Sequence, residues 1–339
     1  LGNDSLTMIQ CLEKLGSNIE YNAEKEIIFL GENKTKKLHA PDAILDCKNS
    51  GTALRFLIAQ AATCDFPVTL DGDASLRARS SLQLIESLAI DVEHYSNESE
   101  YPLKLNGPFS AKSVIIDVSK TSQFHSALML MAPRSNGFVI GTKGDAVSRK
   151  HSELTWDLCQ KTGATKPGEP WIVNCPDVVI PSDASMMAFA KLAGLGVENG
   201  PDASDTIGHD LENNFLRDSN DLITPMTAWL ALGEGGTISG AKHAAFKESN
   251  RITKTADLLS KFGITSVINE DGITVTGGQQ PIRPKGIVET YGDHRIQMTA
   301  VLLASKCGGV IEGANLHKVA WPSFLEQLVS LGLNLKIQP

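Results

Sequence analysis

At 339 residues, with 42% hydrophobic and 21% charged side chains, the sequence has the composition of a globular chain long enough for about two cores. Those proportions exclude a disordered chain, a fibre and a small disulfide scaffold, and no apolar run approaches the roughly 18 residues of a membrane span. A formal net charge of −8 argues against non-specific nucleic-acid or anionic-membrane partners, so any anionic ligand needs a local basic cluster working against the overall field.

The chain opens on Leu1 without a signal-peptide pattern, and an amphipathic helical segment over residues 5–15 starts at once, as though the first element were missing. A unit then recurs: a helix ending at or near Gly, followed in most copies by two short strands. It runs to Gly16 with strands over 18–21 and 26–30, then through helix 84–89 with strands over 90–94 and 102–105. A third copy has helix 158–163 and a strand over 171–173. A fourth has helix 258–263, strands over 264–268 and 273–275, and an Asp271-Gly272 turn. A last copy has helix 328–332 and an extended segment over 333–337. Glycine after a helix supplies a left-handed C-cap, and Asp-Gly suits a hairpin. Spacing of about 70 residues between the first copies exceeds a solenoid repeat and implies duplicated α/β subdomains in two halves.

Between these copies a strand runs through a small polar turn into an apolar helix. The turns are Asn49-Ser50-Gly51-Thr52, Thr121-Ser122-Gln123, Ser182-Asp183-Ala184-Ser185 and Tyr291-Gly292-Asp293-His294-Arg295, the third after a strand over 178–180. Each offers an N-cap, which is the simplest reading of any one. Several together also offer free N–H groups and positive helix ends to a phosphate or carboxylate. The basic residues nearest these turns are Arg55, Arg79, Arg149, Lys247, Arg251 and Arg295. Lys247 and Arg251, four apart, are expected to share a helix face. Asp221 precedes an apolar helix and reads more readily as a cap than a base, and His294 as a structural histidine. The six cysteines (Cys11, Cys47, Cys64, Cys159, Cys175 and Cys307) have no zinc-type spacing and read as buried, reduced thiols. No dinucleotide, Walker or nucleophile-elbow motif occurs.

The segments "NSGTALRFL", "SKTSQFHSALM", "FKESNRI" and "YGDHRIQM" strongly resemble the enolpyruvyl transferases, and "GDASLRARS" and "VAWPSFLEQL" follow in order at matching intervals. The resemblance covers essentially the whole chain. It implies an α/β, two-domain fold, an inside-out α/β barrel built from repeated βαβαββ units, divided at 1–179 and 180–339. The first domain would lack its first strand and helix, since the family's early Gly-Ser-Lys-Ser-type segment with its arginine does not occur here. The sister branch, which acts on UDP-N-acetylglucosamine, carries a reactive cysteine where this sequence has Ala74, five residues before Arg79. That, and the Thr121-Ser122-Gln123 turn, favour the shikimate branch.

The resemblance further implies transfer of the enolpyruvyl group from phosphoenolpyruvate to the 5-hydroxyl of 3-phosphoshikimate, by addition and elimination with release of phosphate. It implies no metal or cofactor and a cytoplasmic monomer with small-molecule partners. Thr121, Ser122, Gln123, Ser148, Asp221 and Lys247 would hold 3-phosphoshikimate. His243 stands where an asparagine is common in the family, and His151 where a tyrosine is. Gly51, Arg79, Gln123, Arg251 and Arg295, with Asn49, Thr52 and Lys318, would hold phosphoenolpyruvate. Asp221 would accept the hydroxyl proton, Lys247 would hold the same hydroxyl region, and Glu248 would exchange a proton at the methylene carbon. Two alternatives remain: transfer to another hydroxyl such as that of UDP-N-acetylglucosamine, and a non-catalytic binding protein of the same fold.

Overall fold

The structure is a computed structural model that describes residues 1–31, 37–96, 99–181, 183–197 and 211–337. The chain divides into two compact units: Leu1–Ala146 with His151–Asp177, and Val147–Lys150 with Val178–Pro339.

In the first unit, α1 (Asn3–Lys14) ends at Gly16, whose φ of +91° is the left-handed stop expected of glycine there. The hairpin of β1 (Ile19–Asn22) and β2 (Ile27–Leu30) follows, with Ile19 opposite Leu30. The repeat is complete once in this unit. β3 (Leu45–Asp46), α2 (Gly51–Ala61) and β4 (Val68–Asp71) lead through the short α3 (Ala74–Arg77) to α4 (Leu82–Leu88), β5 (Asp91–Ser96) and β6 (Ser99–Asn106). The sheet order is β3-β4-β6-β5, with β3 and β4 parallel and the hairpin antiparallel. That order is what βα crossovers followed by a hairpin produce when the second hairpin strand pairs with β4. β7 (Ser113–Asp117), α5 (Gln123–Met131) and β8 (Val139–Lys143) then form a parallel βαβ, and α6 (Arg149–Lys161) follows. Leu45, Leu54, Leu57, Leu70, Leu103, Ile116 and Leu128 are among the side chains closing this core.

The second unit holds α7 (Met187–Ala193), α8 (Ile223–Leu232), β9 (Gly235–Ile238), α9 (Arg251–Lys261), β10 (Ser266–Asn269) and β11 (Gly272–Thr276), with sheet order β10-β11-β9. β12 (Ile287–Val288), α10 (His294–Cys307) and the parallel β13 (Val310–Ile311) precede α11 (Phe324–Ser330). In α8 eight of ten residues are buried and in α10 ten of fourteen, so both are core helices. No described helix is long and apolar enough to cross a membrane.

Two strands expected from sequence, residues 171–173 and 178–180, do not form, and the extended segment 333–337 joins no sheet. Pro170, Pro176 and Pro181 bracket the first two and withhold backbone donors, and Ile172, Val179 and Ile180 are exposed, so neither run has a sheet to join. Residues 97–98, between the strands expected over 90–94 and 102–105, and Ser182, in the third of the expected polar turns, lie outside the described residues. Cys11, Cys47, Cys64 and Cys159 are buried, but Cys175 is exposed and Cys307 half-buried, which corrects the expectation for those two.

Candidate active site

In the first unit, the chain leaves β3 through Cys47 and Lys48 and starts α2 at Gly51. Ser50 caps the helix, its hydroxyl accepting from Ala53 N at 3.2 Å. Arg79, just past α3, donates from Nη2 to both Asn49 O and Asn49 Oδ1 at 2.6 Å. A Cβ built on Gly51 would lie 3.2 Å from Nη1 of Arg79 and 3.2 Å from Nη1 of Arg55. Two guanidinium groups therefore converge on a residue without a side chain at the start of an 11-residue helix. Arg55 also donates to Gln123 Oε1 and lies over the ring of Phe124, 5.4 Å from its centroid. Gln123 Nε2 in turn donates to Thr52 Oγ1 at 2.8 Å. Asn49, Gly51, Thr52, Arg79 and Gln123 thus stand together, with Arg55, which sequence reading noted but gave no role. Donors, a helix N-terminus and no obstructing side chain describe a phosphate or carboxylate seat.

Thr121 and Ser122 precede α5; Thr121 Oγ1 accepts from Gln123 N at 3.2 Å, and Ser122 is buried. His151 lies on α6, where its carbonyl accepts from Thr155 Oγ1 at 2.9 Å and Thr155 Oγ1 meets Ser126 Oγ at 2.8 Å.

The second unit builds a different cluster around Arg251, 1% exposed at the first position of α9. Asn250 caps that helix through its side chain, accepting from Thr253 N, so Lys247 precedes it in extended backbone. The expected shared helix face of Lys247 and Arg251 is therefore wrong, because the helix starts four residues late. Both cations nevertheless reach one carboxylate: Arg251 Nη1 lies 2.5 Å and Lys247 Nζ 3.8 Å from Asp221 Oδ1. Arg251 Nη2 pairs with Glu248, and its Nε donates to Asp293 Oδ2 at 2.9 Å. Asp293, fully buried, also accepts from Ser249 Oγ at 2.9 Å and caps α10 by accepting from Arg295 N at 2.9 Å. Arg295 donates from Nη2 to Ser185 Oγ at 3.0 Å and brings Nε to 3.7 Å from Asp221, while its buried Nη1 has no hydrogen-bond partner among the described residues.

Asp221 does not cap α8: it sits in the single 3-10 turn Asn220–Leu222 ahead of that helix, with its carboxylate turned to the cations. Burial lowers the Lys247 ammonium below the ordinary lysine range, with Asp221 pulling it back and Arg251 pushing it further down. Burial also opposes charge on Arg251, but Asp293, Glu248 and Asp221 outweigh it and hold the guanidinium charged. Three carboxylates (Asp221, Glu248, Asp293) thus face three cations (Lys247, Arg251, Arg295).

His243, on the 3-10 turn Lys242–Phe246, is 3% exposed, and burial with the nearby Lys247 charge lowers its pKa to about 4. His294 is lowered to about 4 by burial and Arg295. Ser148 belongs to this unit through the segment Val147–Lys150. Lys318, in the turn Leu316–Val319, makes no hydrogen bond or ion pair with the cluster among the described residues. Sequence reading missed Asp293 as the anchor of Arg251; the two are 42 positions apart, beyond any local periodicity.

A profile of the family described as EPSP synthase (3-phosphoshikimate 1-carboxyvinyltransferase) matches residues 1–189 and 172–328. The 3-phosphoshikimate 1-carboxyvinyltransferase of Caldicellulosiruptor saccharolyticus is 28% identical over 96% of this chain and 88% of its own length. That of Methanothrix thermoacetophila is 30% identical over 87% and 80%. Among solved structures, EPSP synthase from Acinetobacter baumannii superposes with a TM-score of 0.72 at 20% identity, covering 100% of this chain and 90% of its own. The enolpyruvyl transferase NikO from Streptomyces tendae gives 0.66 at 13% identity, covering 99% and 88%. The likeness in fold, and a profile match spanning both units with their guanidinium-lined helix start and Arg251-centred cluster, place this chain in the EPSP synthase (3-phosphoshikimate 1-carboxyvinyltransferase) family.

Proposed function

We propose that this chain transfers the enolpyruvyl group of phosphoenolpyruvate to the 5-hydroxyl of 3-phosphoshikimate, in the cytoplasm and as a monomer, with Asp221 as the group that takes the hydroxyl proton. The observation that carries this reading is the convergence of Lys247, Arg251 and Arg295 on one Asp221 oxygen. A carboxylate so held is fixed in place for proton transfer, and positioned acid–base groups contribute roughly 10²–10⁴-fold to a rate.

The chemistry balances without a redox step. A proton adds to the methylene carbon of phosphoenolpyruvate, the 5-hydroxyl oxygen bonds to C2, and Asp221 receives the hydroxyl proton. The adduct then loses a methyl proton and inorganic phosphate to restore the double bond. Glu248, fixed by Arg251, exchanges the proton at that carbon. Arg79, Gly51, Thr52, Asn49 and Gln123 hold anionic oxygens of phosphoenolpyruvate, as do Arg251, Arg295 and, least supported by geometry, Lys318. Thr121, Ser122, Gln123, Ser148 and Lys247 hold 3-phosphoshikimate, with His151 against its ring. His243, kept neutral by burial, offers the phosphate a hydrogen bond and no charge.

The test measures phosphate release from phosphoenolpyruvate with 3-phosphoshikimate as acceptor. Turnover should fall by about 10² or more in Asp221→Ala, with the unfolding midpoint little changed. Equal losses in rate and stability would reduce Asp221 to a structural ion partner, and release that needs UDP-N-acetylglucosamine would redirect the acceptor.

A further inference from the structure

Ser148 has an unusual setting for a serine. Its φ is +50°, in the left-handed region that non-glycine residues rarely adopt, and it is buried at 6% exposure. The run Arg217–Asn220, immediately before Asp221, holds it in place. Ser148 N donates to Arg217 O at 3.1 Å. The next residue, Arg149, donates from its backbone N to Asp218 Oδ1 at 2.8 Å, and its guanidinium grips the same carboxylate, with Nη2 2.5 Å from Oδ2. Asn220, 1% exposed, donates from Nδ2 to Ser148 Oγ at 3.2 Å. Its own Oδ1 is buried with no hydrogen-bond partner among the described residues, so the bond to Ser148 is the one that gives the amide its place.

We propose that Asn220 is a positioning residue for the acceptor substrate: by donating to Ser148 Oγ it turns the serine proton outward, so that the hydroxyl is presented as a donor to an anionic oxygen. The step follows from the hydroxyl's inventory. A serine oxygen has one proton and two acceptor sites. When Asn220 fills an acceptor site with its N–H, the serine proton has to be given elsewhere, and a phosphate oxygen is the strongest acceptor available to it. Arg217 and the Arg149–Asp218 pair fix the backbone of the serine, and Asn220 fixes its polarity. The same 3-10 turn carries Asn220 and Asp221, so one turn sets both the proton acceptor and the direction of the phosphate donor. This inference rests on the proposed function, in which Ser148 is one of the residues that hold 3-phosphoshikimate, and it sharpens that role by assigning the serine to the phosphate.

A double-mutant cycle read by calorimetric titration with 3-phosphoshikimate alone tests it. Ser148→Ala should weaken binding by about tenfold, Asn220→Ala by a similar factor, and the double variant by no more than about twofold beyond the worse single. The KM for phosphoenolpyruvate should stay within about twofold in Asn220→Ala, which general loosening of the unit would not spare. Where the alanine variant does not fold, Asn220→Asp keeps the shape while offering only acceptors and carries the same cycle. Losses that multiply in the double variant, or equal damage to both substrates, overturn the role of Asn220. Failure of the unaltered protein to bind 3-phosphoshikimate overturns the proposed function itself, and is distinguished by appearing before any substitution.

Discussion

The two units place arginines in opposite ways. In the first, Arg55 and Arg79 are steered by oxygens of uncharged groups, the carbonyl and amide of Asn49 and the amide of Gln123, and converge over Gly51. In the second, Arg251 is sealed at 1% exposure and held by Asp293, Asp221 and Glu248. The first arrangement is a matter of space and hydrogen-bond direction, so damage there should fall on affinity. The second is a charge network anchored by a fully buried pair, Arg251 with Asp293, in which removing the buried carboxylate leaves the guanidinium uncompensated. Damage at that pair should fall on the fold, whereas damage at Asp221, its side chain 24% exposed at the edge, should fall mainly on the rate.

The largest effect should come from Asp293→Ala. Its carboxylate is fully buried, anchors Arg251 Nε, accepts from Ser249 and caps α10. Breaking a buried pair by removing one partner costs roughly 3–5 kcal/mol, so the unfolding transition of the second unit, followed through Trp229 and Trp321, should move to much lower denaturant. A small shift would mean that the network carries little of the stability, and the contrast between the units would fail.

Acid should attack the same unit next. His243 and His294 have folded pKa values of about 4 against 6.5 for the unperturbed side chain. Both are depressed, so the unfolded chain binds protons that the folded chain refuses as pH falls from about 6.5 to 4, and stability falls with it. One such histidine accounts for up to about 3 kcal/mol across that window. His243→Asn should flatten this part of a stability-against-pH curve while leaving the region above pH 7 alone. An unchanged slope would show that His243 protonates freely in the folded chain.

Substitution at Gly51 probes the first unit through space rather than charge. In Gly51→Ala the new methyl lies 3.2 Å from two guanidinium nitrogens, which must give way by a few tenths of an ångström. Alanine is also the better helix former by about 1 kcal/mol. The expected result is a KM for phosphoenolpyruvate raised by about tenfold with stability unchanged or higher, the reverse of what Asp293→Ala should show. A fall in stability without a change in KM would remove Gly51 from the anion seat.

What the sequence made legible was local. The caps at Ser50 and Asp293, the buried character of α8 and α10 and the small turns before helices all follow from patterns within a few residues. The roles of Arg79, Glu248 and Arg295 came from the resemblance. What stayed hidden depends on distance along the chain. Asp293 was visible as a turn residue but not as the counter-ion of Arg251, and nothing near Ser148 announces Asn220, 72 positions away. The helical spacing of Lys247 and Arg251 misled because a cap at Asn250 overrides periodicity. The place of residues 171–173 in the recurring unit suggested a strand, but a strand also needs a partner with free backbone groups, which no single run encodes.

The smallest effect is the most discriminating for the first unit, because the sequence "LRAR" offers two arginines two residues apart. Arg77 ends α3 and meets Asp71 through Nε at 2.9 Å and Nη2 at 2.6 Å, with 45% of its side chain exposed. Arg79 lies beyond the helix and turns to Asn49 and Gly51 instead. Exposed pairs are screened by water and contribute little, so Arg77→Ala should leave both the KM for phosphoenolpyruvate and the unfolding midpoint within error. Arg79→Ala should raise that KM at least as far as Gly51→Ala does, since it removes the guanidinium where the methyl only displaces it. If Arg77→Ala matched Arg79→Ala, the helix end itself would be holding the seat together, and directional hydrogen bonds to Asn49 would no longer explain the first unit.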